Sequence, residues 1–222
     1  MLTIIHGKII TMADKDYEDG FLQIEHGKIT AIGDMSDFQV KKGGKGVLCA
    51  DGNLVMPGII EAHCHMGITE EKKGAEGDDC NESVDPVTPY LRAVDAINPM
   101  DAAFDDALRA GITSAMVGPG SSNVVGGQFA FIKTHGRCID RMIVKAPAAM
   151  KIAFGENPKV NYSGQNVSQA TRMAIAATLR QELFLAKEYQ RRRMTDQSQE
   201  KDFRYECWLP VLEGKIPLKA HV

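Results

Sequence analysis

The sequence predicts an α/β protein in which a small β-sandwich module, residues 1–58, precedes a partial TIM-like (β/α) barrel, residues 59–222. Three observations carry that prediction. The first fifty-odd residues contain short β-branched runs broken by Xaa-Gly pairs, the mark of hairpins. After Met56-Pro57-Gly58, strand-like runs alternate with helical ones, the pattern of parallel βα units. Two long loops, 67–98 and 118–127, follow strand-like segments, where barrels build the mouths of their sites.

Each element has its own justification. Ile4–Ile10 and Leu22–Ile29 are near copies, and in both a His-Gly pair predicts a tight hairpin turn. Residues 41–46 read as a loop and Val47–Ala50 as a short strand closed by Asp51-Gly52, which makes the module antiparallel in expectation. Ile59–Met66 reads as the first barrel strand. A helix is expected from Asn98 as N-cap, with Pro99 in its first turn, through Leu108, with Gly111 beyond its end. Ile112–Val117, Gln128–Thr134, Met142–Lys145 and Ala149–Phe154 are further strands. The longest helix is expected from Ser168, with Met173, Ala176, Leu179, Leu183, Ala186 and Tyr189 on its apolar face. Arg191-Arg192-Arg193 at its end is a solvated face suited to a helix C-terminus. Ile216–Val222 is strand-like again.

Composition narrows the function. The chain has 222 residues, with 26 Lys+Arg against 29 Asp+Glu, so nothing in its charge points to nucleic acid. No run approaches the ~18 apolar residues of a membrane span, and the first residues lack the pattern of a signal peptide. Five cysteines at irregular spacing, with no Cys-x-x-Cys pair, indicate a reducing cytoplasm rather than a disulfide scaffold. The glycines of 118–127 lack a Gly-Lys-Ser/Thr ending and read as a shaped loop rather than a phosphate cradle.

The histidines divide by position. His6, His26 and His135 each precede a glycine and belong to surface turns. His63 and His65 lie two apart in a strand and so share a side with Glu61, opposite Ile60, Ala62, Cys64 and Met66. In the last strand His221 alternates with apolar residues in the same way and lies at the C-terminal end, where (β/α) barrels place their sites. Three converging imidazoles suit a borderline divalent metal such as zinc. Lys151 alternates with Met150, Ile152 and Phe154 and so points inward, either as a carboxylated metal bridge or as a structural ammonium. Glu156 lies just past that strand, as a direct metal ligand or as an exposed turn residue.

These residues carry a resemblance. Gly27–Gly33, Asp51–His65 with its Pro-Gly-x-x-Glu-x-His-x-His string, and Ala110-Gly111-Ile112-Thr113-Ser114 resemble the amidohydrolase superfamily, in its imidazolonepropionase/prolidase-like branch, and the resemblance covers essentially the whole chain. It implies a distorted (β/α)8 barrel with a composite β-sandwich, one or two divalent metals with zinc foremost, and hydrolysis of a C–N bond in an amide, dipeptide or cyclic amide. By resemblance His63 and His65 are first-strand ligands, His221 is the fifth-strand ligand, and Glu156 or Lys151 is the fourth-strand contributor. A full barrel takes about 250 residues, whereas residues 59–222 suffice for about five βα units. The sequence is therefore expected to be a truncated, inactive portion, its general acid/base aspartate lying beyond residue 222. Open strand edges make a homo-oligomer an expected state. The alternative is a non-catalytic scaffold on the same fold.

Overall fold

Hairpin chemistry decides the first unit. The computed structural model describes residues 1–39, 46–71, 73–163, 171–196, 198 and 200–222. The chain forms two units, Met1–Gly58 and Ile59–Val222. In the first, β1 (Leu2–Ile9), β2 (Tyr17–Glu25), β3 (Lys28–Asp34), β4 (Val47–Cys49) and β5 (Leu54–Val55) form one sheet of order β3-β2-β1-β4, with β5 also on β1. His26 and Gly27, at φ of 50° and 73°, make the two-residue turn that joins β2 to β3, where both central residues need positive φ. The matching His6-Gly7 pair makes no hairpin. It lies inside β1, where the register with β2 shifts on either side of Gly7, and His6 bonds Asp19 at 3.1 Å. The module is also not purely antiparallel, because β4 and β5 run parallel to β1. The stretch from β3 to β4 is long enough for a crossover connection. The described unit is a single sheet, with Leu48, Val47 and Leu54 more than half exposed. Of the loop expected at 41–46, only Gly46 lies within the described residues.

The second unit is a five-stranded sheet of order β10-β9-β8-β7-β6, from β6 (Ile59–Cys64), β7 (Ile112–Val117), β8 (Val125–Lys133), β9 (Ile143–Ala153) and β10 (Leu218–His221). β6 pairs parallel with β7, and β9 with β10. β8 runs antiparallel to both of its neighbours, so the five strands are not five parallel βα units. Connection length explains the reversal. A parallel return needs a dozen or more residues, and only residues 118–124 join β7 to β8. The return to β9 uses 134–142, with the one-turn α2 (Ile139–Met142). β9 also fuses the two strands expected at 142–145 and 149–154 into one.

Helices cover the apolar side of this sheet. α1 (Ala102–Arg109) packs Phe104 with Ala115, Val117 and Ile132. Its N-cap is Asp101, which accepts from the Ala103 amide, and Asn98 instead accepts from Met100 in the preceding turn. The expected cap was thus one turn early. The long helix, labelled α4 here (Arg172–Thr195), is capped by Thr171 through the Ala174 amide; Ser168 lies outside the described residues. It buries Ile175, Leu179, Glu182, Ala186 and Tyr189, whereas Met173 is 80% exposed. The expected face was therefore rotated at its start. Between β9 and α4 lies α3 (Glu156–Ser163), and after α4 come α5 (Phe203–Glu206) and α6 (Leu209–Leu212). Trp208, fully buried, joins Met150, Ile152 and Ile175 in the core behind β9. Its indole N–H donates to Glu182 at 3.1 Å, and Arg204 grips the same carboxylate through two bonds of 2.9 Å.

Candidate metal centre

Strand alternation sets the inner side of the second sheet. Cys64 and Met66 pack into the outer core, so His63 and His65 face the other way. Their rings meet edge-on with centroids 5.2 Å apart. His65 Nδ1 lies 2.7 Å from the Gly118 carbonyl, which only accepts, so this nitrogen carries the proton and Nε2 is left as the lone-pair nitrogen of the neutral ring. Gly118 has no alternative here, since a Cβ at that position would lie 2.3 Å from the Phe129 ring. Glu61 shares the histidine side but turns back to accept from the His63 amide at 2.9 Å.

Phe129 is the hub of the interior. Its ring centroid is 5.3 Å from that of His63, and the ammonium groups of Lys151 and Lys219 lie 5.8 and 5.7 Å from it. Lys151 is fully buried and its Nζ has no hydrogen-bond partner. Burial, reinforced by the Lys219 charge and opposed by Cys80, pulls its pKa down to about 8. Burial also lowers His63 to about 4, with the positive charges of Lys151, His65, Lys219 and His221 adding to the effect. His63 is thus a neutral imidazole at physiological pH. His65 moves up, chiefly through its hydrogen bond with Cys80, against burial. Burial resists ionisation of Cys80, but the His65 hydrogen bond and charge outweigh it and the thiol moves down.

His221 ends β10 and is exposed, with Nε2 3.1 Å from the Asn157 amide nitrogen. Glu156 is neither buried nor in a turn. It is the exposed first residue of α3, and with His65, Cys80, Asn81 and Asn157 it lines an open cleft of about 510 Å³. Lys151 and His221 thus each lie within electrostatic reach of His63, and Glu156 lies with His65 in the cleft. Among the described residues, no three His, Cys, Asp or Glu side chains are arranged to hold an ion. Lysine is outside that set, and the Lys151 amine is buried without a hydrogen-bond partner. The two imidazoles, with such an amine on the same inner side, fit a divalent centre completed by a carbamate on Lys151.

Sequence reasoning passed over Cys80, Phe129, Asn157 and Lys219. Lys219 was legible, since it shares the alternation of His221. Cys80 was not, because a loop contact between Gly120 N and Cys80 O (2.7 Å) brings it to His65.

The second unit is a half-barrel sheet with histidines and lysines on its inner side. Comparison with known proteins points to the class. The chain is 32% identical to an amidohydrolase of Thermotoga maritima whose crystal structure superimposes with a TM-score of 0.93, covering all of this chain and 58% of that one. It is 26% identical over 227 residues to Amidohydrolase tasK of Hapsidospora irregularis, covering 91% of this chain and 23% of that protein. No protein-family profile matches. The chain is thus similar to amidohydrolases and spans only part of the length of each.

Proposed function

We propose that this chain supplies the metal-binding part of an amidohydrolase that cleaves C–N bonds in amides, dipeptides or cyclic amides, in the imidazolonepropionase/prolidase-like branch. The carrying observation is the Lys151 amine, fully buried without a partner on the face that His63 and His65 share. A divalent ion, zinc foremost, supplies Lewis acidity and a more acidic bound water when present. His63, His65 and His221 would hold it, with Lys151 as its carbamate or Glu156 as the further ligand. The Gly118 carbonyl fixes Nδ1 of His65 as the protonated nitrogen, so Nε2 is the nitrogen that would hold the ion. Asn157 steadies the His221 ring. The burial of Lys151 excludes water from that wall.

The test is metal analysis after zinc loading and desalting. Wild type should retain zinc in proportion to protein, and His63→Ala/His65→Ala should retain none. Equal retention by both would end the metal reading. A non-catalytic scaffold is the second reading, favoured by the lack of three convergent ligands among the described residues. We expect little turnover of amide substrates from the 222-residue chain by itself.

A further inference from the structure

The core explains only one face of α4. The inner face carries Ile175, Leu179, Ala186 and Tyr189, all buried, with Glu182 held by Arg204. On the opposite side Met173, Ala177, Arg180, Phe184, Lys187 and Arg191 recur at spacings of four and three, so they form one row along the helix, and every one is exposed. Met194 extends the row by three more positions, to a length of about 32 Å. Three large apolar side chains stand in this row largely in solvent, Met173 and Met194 at 80% exposure and Phe184 at 63%. Single exposed apolar residues are ordinary; these alternate with cations.

Charge is concentrated on the same helix. The chain carries a net −3, whereas α4 holds six Lys and Arg against two Glu. Glu182 faces inward to Arg204 and Trp208, and Glu188 pairs with Arg191 at 3.0 Å. Arg193 reaches Glu206. Arg180, Lys187 and the flanking Arg192 make no ion pair among the described residues. The fate of these cations separates the occupants the row could take. A second copy docked by two-fold symmetry would set the row against itself and bring like charges together. A partner helix seated along the row would bury Arg180 and Lys187, each of which would then need its own carboxylate. A lipid surface demands neither, because long basic side chains keep their heads at the phosphates while the apolar side chains beside them enter the acyl boundary. We propose that the outer face of α4 docks on an anionic lipid surface, with Met173, Phe184 and Met194 inserted shallowly and Arg180, Lys187 and Arg192 at the headgroups. The face is independent of the inner side that bears His63 and Lys151, and the proposal does not rest on the hydrolase reading.

The experiment sediments the 222-residue chain with sucrose-loaded vesicles. Phosphatidylcholine vesicles containing phosphatidylserine should bind wild type about tenfold more tightly than phosphatidylcholine alone, and high salt should release the protein. Arg180→Gln/Lys187→Gln should lose about tenfold in affinity for the anionic vesicles, whereas Arg180→Lys/Lys187→Arg, which keeps the charge, should bind as wild type does. Fluorescence of Phe184→Trp should be quenched by brominated lipid; the native Trp208 is fully buried and supplies a constant background. Adsorption through other exposed apolar side chains would not tell the two lipids apart. Equal binding to both lipids, no binding to either, unchanged affinity of Arg180→Gln/Lys187→Gln, or an unquenched Phe184→Trp would overturn the proposal. Tighter binding to polyglutamate than to the anionic vesicles would overturn it in favour of an acidic protein, and a dimer that Phe184→Ser dissolves would overturn it in favour of a second copy.

Discussion

β9 and β6 both present site side chains inward and apolar ones outward, yet their surroundings are opposite. β9 is flanked by β8 and β10, and Trp208, Met150 and Ile175 close its outer side, so Lys151 is completely shielded. β6 is the last strand of the sheet; Ile59 and Ile60 are 47% and 60% exposed, and His63 is exposed as well. Alternation decides which way a side chain points, but rank across the sheet decides how dry it becomes. The candidate site thus has one anchored wall and one open wall.

Four measurements put that contrast to the test. The largest effect belongs to the anchored wall: Trp208→Ala should cost about 3–5 kcal/mol in urea denaturation, and a loss under about 1 kcal/mol would mean the wall is not anchored. Next, Glu182→Ala leaves Arg204 only its 3.9 Å contact with Asp85 and strands the Trp208 N–H. It should cost about 3 kcal/mol, the lower part of the range for a broken buried pair, because Arg204 is partly exposed. Third, Lys151→Met should raise the stability of the zinc-free protein at pH 7 by about 1–2 kcal/mol while abolishing zinc retention. That gain has a definite pH course. The folded pKa of Lys151, about 8, lies below its ordinary 10.5, so the native amine is no liability above 10.5, a growing one as pH falls from 10.5 to about 8, and a constant one below that. The advantage of Lys151→Met should therefore shrink between pH 8 and 10.5.

The smallest effect belongs to the open wall. His63→Ala should change stability by less than about 0.5 kcal/mol at pH 7. Its trace is again in pH. The folded pKa of His63, about 4, lies below the ordinary 6.5, so its contribution is complete above pH 6.5 and lost as pH falls through about 4. The variant should show a flatter stability curve across that window, and NMR titration of the His63 ring should give a midpoint near 4. A midpoint at 6.5 would show that neither burial nor the positive charges beside it act on the ring.

Legibility followed the same division. Period-two alternation places His63, His65, Lys151 and His221 on inner faces because it depends only on local geometry. The reversal of β8 was also readable in principle, from the few residues between Val117 and Val125, but helical texture elsewhere masked it. Asp101 displaced Asn98 as the cap because its carboxylate also serves the Glu71 amide, a contact 30 positions away that no local pattern announces. Met173 was misplaced for a related reason: the start of α4 is fixed by the Thr171 cap, and its inward face by Trp208 and its neighbours. Cys80 reached His65 through loop-to-loop bonding, which spacing along the chain does not encode.

The reversal of β8 has one more consequence. Because this strand runs against its neighbours, the short connection 118–124 returns the chain to the rim beside His65 with no helix attached. Residues added there would redraw the entrance while leaving the outer helical coat untouched, so the fold can retune what it admits through a segment whose length it is free to vary.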